Sequence, residues 1–295
     1  MNPISKIVGA LRVAANHPVN RHRKFKAVLE YGFVQIATRL VPGEICVEFP
    51  NHTRLLVSPQ MKGAAHYITP RLCEFDDMAF VMHFLRRDEM FADVEANVGA
   101  FTILAAGVAG AQAVSFEPSR DTFEMLLRNI RLNGLQIRVR AVNAAAGRFS
   151  GTIRFSAGLG TENHVATAQE NSVAVPITTL DHELAATPAT LLKVDVEGFE
   201  TEVFAGAEMT LSNPALQALI VEYNGSGSRY GYDEEKLHQE IRKKGFTPCG
   251  YDPFNRQAHP LNNDSGGNII YLRDLQAANE RLRQAPPFTL GSLTV

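Results

Sequence analysis

The chain has 295 residues, of which 45% are hydrophobic, and a formal net charge of −2 at pH 7. This apolar content excludes a disordered chain, and the near-neutral charge excludes a global attraction to nucleic acid or to acidic membranes. The cysteines Cys46, Cys73 and Cys249 lack the spacing of a metal site, and no apolar run is long enough for a signal peptide or a membrane span. We therefore expect a soluble, cytoplasmic protein without an integral membrane segment.

The first ninety residues predict an N-terminal cap, residues 1–88, of helices and a hairpin. Ile4, Ile7, Val8 and Leu11 are spaced for one apolar helix face. Strands at 45–49 and 53–57 flank a turn at Asn51 and His52, and a helix is expected over 75–85. The basic residues of the stretch 21–26 suit a solvated helix face, with a patch for a phosphorylated or lipid-linked acceptor as the alternative. These residues are Arg21, His22, Arg23, Lys24 and Lys26.

From Met90 onward, apolar strands alternate with amphipathic helices, which defines a second region over 89–295. Asp121 is the expected N-cap of one helix, with Glu124 completing a capping box, and Gly151 is the expected turn of a tight hairpin. The alternation predicts a doubly wound, Rossmann-like α/β fold with a parallel sheet and helices on both faces. The expected strands are 91–94, 113–116, 139–142, 191–196, 218–222 and 268–272; the expected helices are 101–108, 121–132, one from Phe199 and 234–244; residues 157–169 are expected to form a loop.

Acidic and small residues stand at the ends of the first two strands of this region. Asp93 closes the first strand, and Gly99 allows the backbone to turn into the following helix. Glu117 closes the second strand, 24 residues after Asp93. Such sheets bind ligands beyond the carboxyl ends of their strands, and an acidic residue after the second strand suits the two hydroxyls of a ribose. The pattern therefore predicts a nucleoside site.

Two blocks of sequence resemble the FkbM-type family of S-adenosylmethionine-dependent methyltransferases, over roughly 45–273. The loop 93–99 resembles the family's Asp-x-Gly-Ala-Asn-x-Gly, followed by Phe116-Glu117-Pro118, and the block 192–200 resembles its Leu-Lys-Val-Asp-Val-Glu-Gly-Phe-Glu hallmark. The resemblance implies methyl transfer from S-adenosylmethionine, usually to an oxygen of a sugar or natural product. The expected cofactor contacts are Glu74, Asp93, Glu95, Ala96, Asn97, Gly99, Phe101, Thr102, Glu117, Pro118, Ser119, Asn143, Ala144 and Asp195.

Glu95 is the one departure from the family loop, because the family has glycine there. A side chain at this position crowds the methionine moiety, and its carboxylate repels the cofactor's carboxylate while attracting its ammonium or sulfonium. Three interpretations stay open: a rearranged but competent loop, weakened affinity for the cofactor, or an inactive protein.

Methyl transfer requires alignment of the acceptor and, for an alcohol, a general base. The candidates are Asp195 and Glu197 after the fourth strand and His164 in the preceding loop; each has a purely structural alternative. Aromatic faces suit sugar rings, so Tyr223, Tyr230 and Tyr232 are candidates for the acceptor pocket. We expect no metal, although Asp195, Glu222 and Asn224 resemble the oxygen set of metal-dependent methyltransferases.

The sequence thus favours an O-methyltransferase, with a catalytically weak or silent cofactor-binding protein as the alternative. An NAD-dependent oxidoreductase is disfavoured because the first loop lacks Gly-x-Gly-x-x-Gly, and nucleic-acid methylation because no aromatic–basic stripe occurs. The expected partner is a small-molecule or glycan acceptor. The acceptor's identity and whether the protein forms a homo-oligomer stay open.

Overall fold

The computed structural model describes residues 11–12, 14–20, 24–40 (side chains to 34), 43–58, 67–68, 72–157, 163–167, 170–261, 266–291 and 293–295. The predicted helical positions Ile4, Ile7 and Val8, the basic residues 21–23, and parts of the predicted loop 157–169 lie outside these ranges. None of the helices within these ranges is both long and apolar enough to cross a bilayer.

An eight-stranded sheet forms the centre of the fold, in the order β12-β11-β13-β10-β9-β3-β4-β5. The five strands β10, β9, β3, β4 and β5 are mutually parallel, as predicted, whereas β13 runs antiparallel to both β10 and β11, and β12 antiparallel to β11. The bounds are β3 Met90–Val94, β4 Gln112–Phe116, β5 Val139–Val142, β9 Leu191–Val194, β10 Ala218–Tyr223, β11 Thr247–Asp252, β12 Gln257–Pro260 and β13 Gly267–Leu272.

The predicted parallel sheet is thus confirmed over these five strands, and its C-terminal edge is antiparallel. Only four residues join β11 to β12, and a connection this short closes an antiparallel hairpin, whereas parallel neighbours need a crossover of a dozen residues or more. The sequence expectation contained neither β11 nor β12, because their short, polar-interrupted segments lack a clear alternation of apolar residues.

Both faces of the sheet are covered, which accounts for the nearly continuous apolar character of its inner strands. All four residues of β9 are buried, including Lys193. Successive residues of β3 alternate between two separate cores: Phe91 joins one cluster of buried side chains and Ala92 the other. This alternation follows from the period of two in a strand.

Helices and small sheets form the outer layers. One core contains side chains from the hairpin β1–β2 and the helices α2 to α4, and the other contains side chains from α6, α7 and the three-stranded sheet β6-β8-β7. The helices are α1 Lys24–Leu40, α2 Phe75–Phe84, α3 Ala100–Ile103 (continued by a π-helical turn, Leu104–Val108), α4 Arg120–Leu132, α5 Leu180–Glu183, α6 Glu200–Ala205, α7 Glu208–Ser212, α8 Glu234–Lys243 and α9 Leu275–Arg283. The 3-10 turns of the described residues are Pro18–Asn20, Pro50–His52 and Ser226–Tyr230. The remaining strands are β1 Ile45–Glu48, β2 Arg54–Val57, β6 Ala145–Ala146, β7 Gly151–Ser156, β8 Ser172–Thr178, β14 Thr289–Leu290 and β15 Leu293–Thr294.

The predicted N-terminal hairpin is confirmed, and the side-chain amides of Asn129 and of Asn133, the C-cap of α4, attach it to the main body. Strands β1 and β2 pair antiparallel. The Nδ2 of Asn129, on α4, donates to the carbonyls of Leu56 (3.0 Å) and Val98 (2.8 Å), and its Oδ1 accepts from Leu56 N (2.6 Å). Asn129 therefore links β2 to the loop that follows β3. The boundary between a cap at 1–88 and a main region at 89–295 stays a prediction.

Two local predictions are wrong. Gly151 is the first residue of β7, which pairs with β8 across a long connection rather than closing a tight turn. Helix α4 begins at Arg120 with Ser119 as its N-cap, so Asp121 lies inside the first turn, where its charge still favours the helix dipole. The helix begins earlier than predicted because a hydrogen bond from Ser119 N to the Glu117 carboxylate fixes the position of Ser119.

Candidate functional site

The site lies where the chain changes direction across the sheet. From β3 the chain proceeds to β4 on one side, while β9 lies on the other, so β3 and β9 form the topological switch point at which such sheets bind ligands. Asp93 is the register partner of Lys193, and Val94 that of Val194. The loops that follow the two strands therefore leave the sheet side by side, which brings together the two sequence blocks singled out above.

The loop after β3 is built from left-handed backbone. Glu95, Asn97 and Gly99 have φ angles of 63°, 54° and 93°. This conformation explains the glycine that the family pattern has at position 95, since only glycine adopts it without steric cost. The loop is fixed to β4 by a hydrogen bond from Ala96 N to the carbonyl of Phe116 at 2.8 Å. Glu95 is thus accommodated in the glycine-type conformation rather than by a rearranged loop.

The carboxyl group of Glu95 lies in an acidic cleft. Burial raises the pKa of Glu95 well above its ordinary value, and the neighbouring charges of Glu117, Asp195, Glu197 and Glu200 raise it further. These groups come from the ends of β4 and β9, so the Glu95 side chain lies within the space between the two strand ends.

Glu117 is held in a fixed orientation at the end of β4, with 3% of its surface exposed. Its Oε2 accepts a hydrogen bond from Asn97 N at 3.0 Å and its Oε1 accepts from Ser119 N at 2.8 Å. Burial raises its pKa to about 8, an effect that these two N–H groups oppose. Asn143 donates from Nδ2 to the carbonyl of Glu117 at 2.8 Å, which fixes the same turn from the end of β5.

Asp93 is buried beneath the loop and is oriented from behind. Thr102 donates from Oγ1 to Asp93 Oδ2 at 2.6 Å and also contacts Ser115 Oγ at 2.7 Å. The other oxygen, Oδ1, is buried without a hydrogen-bond partner among the described residues. The structure thus places Thr102 as a support for Asp93, with its hydroxyl already engaged by neighbouring side chains.

Lys193 is the cation at the centre of the site, in the middle of β9. Its Nζ donates to Asp195 Oδ2 at 2.7 Å and lies 4.8 Å from the centroid of the Phe101 ring. Burial lowers the pKa of Lys193, but the carboxylates of Asp195, Glu74 and Asp93 more than reverse this effect, so the net shift is upward. The ammonium group is therefore a permanent positive charge that holds Asp195 in place.

Asp195 has a second acidic neighbour on the adjacent strand. Glu222, on β10, forms a side-chain hydrogen bond with Asp195, and burial together with the Asp195 charge raises the Glu222 pKa to about 9. Burial and the Asp195 charge thus both favour the protonated form of Glu222. Its Oε2 is buried with no hydrogen-bond partner within the described ranges.

Glu74 belongs to the N-terminal region and lies close enough to Lys193 for the two charges to interact. Asn268, on β13, donates from Nδ2 to Glu74 Oε2 at 2.8 Å and to Asp77 Oδ2 at 3.1 Å. Burial raises the pKa of Glu74 to about 7 and that of Asp77 to about 6, and the Lys193 charge lowers both. Glu74, just before α2, and Asp77, in its first turn, therefore belong to the same electrostatic cluster as Lys193.

The remaining catalytic candidates lie at the margins of the cleft. Glu197 has a left-handed backbone, with φ of 55°, in the turn after β9. His164 is buried, and its Nε2 pairs with the carboxylate of Glu170 at 3.1 Å. The next residue, Val165, accepts a 2.6 Å hydrogen bond from the hydroxyl of Tyr230, which ties this segment to the region after β10.

The three tyrosines separate into different roles. Tyr223 packs edge-on against the buried His238, with ring centroids 4.3 Å apart, and Tyr232 donates to Glu202 Oε1 at 2.6 Å. Tyr230 packs against Phe199 at 5.5 Å, and the Glu95 charge contributes to the upward shift of its pKa. Of the three, Tyr230 has the clearest connection to the cleft.

Among the described residues, the structure does not assemble the oxygen ligands of the alternative metal site. Asn224 is exposed, and its Oδ1 accepts from Ser226 N at 2.8 Å. Within the described ranges, no group of three or more His, Cys, Asp and Glu side chains is arranged to hold a metal ion.

Two residues of this site, Asp77 and Asn268, were not predicted from the sequence. The role of Lys193 was not predicted either. A lysine inside an otherwise apolar buried strand is itself a signal, because it requires a carboxylate partner in the interior. Asn268 offers no such signal, since it meets Glu74 and Asp77 only through the antiparallel placement of β13 beside β10.

The fold and the site together define a Rossmann-like protein of the class I methyltransferase type. The sequence model described as the methyltransferase FkbM domain matches residues 93–248, which is more than half of the chain. The protein therefore belongs to the FkbM methyltransferase family, as the two sequence blocks indicated, and S-adenosylmethionine is its cofactor. A search of curated proteins gives no match.

Several solved structures are similar to this chain at low identity. An rRNA methylase from Streptococcus thermophilus has 13% identity and a TM-score of 0.39, covering 66% of this chain and 91% of its own. The C-terminal domain of precorrin-6Y C5,15-methyltransferase from Rhodobacter capsulatus has 18% identity and a TM-score of 0.38, covering 68% and 87%. A TehB-like S-adenosylmethionine-dependent methyltransferase from Corynebacterium glutamicum has 10% identity and a TM-score of 0.40, covering 68% and 88%. Values this low say nothing about the acceptor.

The residues at the switch point fit S-adenosylmethionine in their chemistry. Glu117 is an oriented carboxyl group at the position that suits a ribose diol, and Asp93 keeps a buried oxygen without a partner among the described residues. The acidic cleft suits the positive charges of the ammonium and sulfonium groups. A carboxylate at Glu95, in contrast, would repel the cofactor's own carboxylate.

Proposed function

We propose that this protein transfers a methyl group from S-adenosylmethionine to a hydroxyl oxygen of a sugar or natural product. The observation that carries the proposal is Asp195, a carboxylate that the buried Lys193 holds at the switch point through a hydrogen bond of 2.7 Å. A fixed carboxylate is the group needed to orient a hydroxyl and to accept its proton.

The cofactor contacts proposed here follow from the same geometry. Glu117 would hold the ribose, and the backbone and side chains of the loop 95–99 would face the methionine moiety. The turn at Pro118 and Ser119, with Asn143 and Ala144 after β5, would border the adenine. When bound, the cofactor supplies an electrophilic methyl group on a positively charged sulfur.

The protein's own part in the reaction is alignment and proton acceptance. Asp195 accepts a hydrogen bond from the acceptor's hydroxyl, which directs the oxygen toward the reacting carbon, and takes up the proton as the new bond forms. Lys193 holds Asp195 in place for this role through a hydrogen bond of 2.7 Å. Glu197 and the His164–Glu170 pair would border the acceptor, and Tyr230 would offer a ring face to a sugar.

A catalytically silent cofactor-binding protein is the second candidate, and Glu95 is the observation that favours it. The residue combines a left-handed backbone with a carboxyl group inside the cleft. The side chain crowds the methionine moiety and a carboxylate there repels the cofactor's own carboxylate, so binding without turnover is the alternative outcome.

The test uses S-adenosylmethionine labelled with ¹³C at the methyl group, incubated with monosaccharides, nucleotide sugars and phenols. We expect a methoxyl carbon signal in the product with the wild-type protein and its loss in Asp195→Asn. A product methylated on nitrogen or carbon would contradict oxygen as the acceptor. Cofactor binding by calorimetry with no labelled product from any acceptor of the panel would favour the silent protein.

A further inference from the structure

Helix α1 carries an exposed apolar stripe. Phe25, Leu29 and Phe33 are 78%, 58% and 72% exposed, and they account for three of the nine exposed large apolar side chains in the described part of the chain. Their spacing of four residues places them along one side of the helix. An aromatic–aliphatic stripe of this kind on a water-facing helix is costly unless a partner covers it.

The stripe points away from the rest of the molecule. At about 100° per residue, Ala27 lies roughly opposite the centre of the stripe. Ala27 is fully buried, and Tyr31 and Val34, on the same side as Ala27, are half-buried. The helix therefore rests on the protein through one face and presents Phe25, Leu29 and Phe33 on the other.

Two lysines lie next to the first residue of the stripe, at the N-terminal end of the helix. Lys24 and Lys26 lie about 100° to either side of Phe25, and both are exposed. Lys24 contacts Asn16 Oδ1 at 3.3 Å, and Lys26 lies 3.9 Å from Glu30. In the sequence, residues 1–29 contain six lysines and arginines and no aspartate or glutamate, although the whole chain has a net charge of −2. The first 29 residues are therefore basic in sequence, whereas the chain as a whole is slightly acidic.

We propose that α1 docks on an anionic lipid bilayer, inserting Phe25, Leu29 and Phe33 between the headgroups while Lys24 and Lys26 contact lipid phosphates. The combination of bulky apolar residues on one face and lysines beside them is that of an interfacial helix. Charge complementarity favours an anionic bilayer over a second copy of the chain, because two such helices would bring like charges together.

The docking helix follows a segment that is bound to the site's edge. His17 Nε2 lies 2.7 Å from the carbonyl of Leu72, and the His17 ring packs edge-on against Phe75 at 5.7 Å. Between these two contacts lies Glu74, the carboxyl group that the N-terminal region contributes to the site. The bilayer contact would therefore be connected to the edge of the site through buried packing, which suits an acceptor carried on a lipid.

The test is co-sedimentation with vesicles of phosphatidylcholine alone and of phosphatidylcholine with an equal amount of phosphatidylglycerol. We expect the wild-type protein to bind the anionic vesicles, and the variant Phe25→Ser/Leu29→Ser/Phe33→Ser to bind them at least a hundredfold more weakly. The matched control, Ile137→Ser/Phe149→Ser/Met209→Ser, removes three exposed apolar side chains elsewhere and should bind as the wild type does.

A second pair of variants tests the charge. Lys24→Glu/Lys26→Glu should weaken binding to the anionic vesicles by about twentyfold or more, whereas Lys236→Glu/Lys243→Glu on α8 should not. Absence of wild-type binding, or equal binding by the serine triple variant, would overturn the proposal. So would a dimer, seen by light scattering, that the triple variant dissociates without any vesicle binding, since a second copy would then cover the stripe.

Discussion

Glu95 is the residue at which local backbone and charge both depart from the requirements of the site. A non-glycine residue in left-handed backbone costs about 1 kcal/mol, and the buried carboxyl adds a desolvation cost. These costs are retained in a position where glycine would remove both. We therefore expect this residue to control how tightly the cofactor's methionine moiety binds.

The first prediction concerns replacement of this residue by glycine. Glu95→Gly should raise the thermal midpoint by a few degrees and tighten the binding of S-adenosylhomocysteine by about tenfold, because strain and carboxylate repulsion are removed together. Isothermal titration calorimetry and thermal denaturation measure the two effects.

Two control variants separate the causes. Glu95→Gln removes the charge and keeps the strain, whereas Asn97→Gly relieves a similar left-handed conformation in the same loop and keeps the charge. Tighter binding in Glu95→Gln alone would identify the charge. Unchanged or weaker binding in Glu95→Gly would show that Glu95 contributes favourably, through the ammonium or sulfonium.

Lys193 is the second residue on which the site depends, because it is the buried cation shared by several carboxylates. Lys193→Met should lower the free energy of unfolding by about 3–5 kcal/mol, since it leaves Asp195 and Glu74 without a counter-charge. Urea denaturation measures the loss. Lys193→Met/Asp195→Asn should regain part of it, and a double variant no more stable than Lys193→Met would argue against the pairing.

At the scale of elements, the turn between β9 and α6 is fixed by a close approach of two backbones. A Cβ atom on Gly198 would lie 2.5 Å from the carbonyl of Ser226 and 2.8 Å from Gly227 N, and its φ is 103°. The hallmark block therefore contains a glycine that packs directly on the 3-10 turn after β10. This contact holds the loop after β9 beside the loop after β10.

Gly198→Ala should therefore destabilise the protein by about 3 kcal/mol or more and weaken cofactor binding, because the two loops must separate. The matched control is Gly134→Ala, which has a similar left-handed backbone, with φ of 66°, but no atom within 4 Å of an added Cβ. We expect that variant to lose only about 1 kcal/mol. Equal losses in the two variants, measured by urea denaturation, would show that the close approach is not responsible.

How far the elements could be predicted depended on how regular their patterns are. The strands of the parallel core are buried on both faces and appear as short apolar runs, and α4 has a clear apolar stripe, so these were found. Strand β8 and the pair β11–β12 mix exposed and buried residues without a regular period, so they were missed.

In the site, the positions of Asp93, Glu117 and Asp195 follow from strand ends alone. Asn268 could not be predicted, because its position depends on the register of an antiparallel strand.

At the scale of the whole molecule, the site is an accumulation of buried carboxyl groups around a single buried lysine. The pKa of Glu222 is about 9, that of Glu117 about 8 and that of Glu74 about 7, in each case chiefly because burial disfavours the charged form. In the unfolded chain these groups titrate near 4.5. Between pH 4.5 and the folded-state pKa values, the folded protein therefore binds more protons than the unfolded chain does. The cofactor-free protein should therefore become less stable as the pH rises.

The sign follows from proton counting. Stability is greatest below pH 4.5 as far as these groups are concerned, falls as the pH rises, and levels off above the highest folded-state pKa, about 9. Each group still protonated in the folded state contributes a slope of about 1.4 kcal/mol per pH unit. Other carboxylates, paired on the surface, oppose this trend only at low pH. Between pH 7 and 9 Glu222 and Glu117 both contribute to the slope.

The free energy of unfolding of the cofactor-free protein, measured by urea denaturation from pH 6 to 9, should therefore fall with rising pH. Glu222→Gln should flatten the curve between pH 7 and 9, because a neutral amide releases no proton on unfolding. Glu208→Gln, at an exposed position on α7, is the matched control and should parallel the wild type. A Glu222→Gln curve parallel to the wild type would show that Glu222 is already ionised at neutral pH. In that case Asp195 and Glu222 would repel each other, and the hydrogen bond that orients the proposed base would not form.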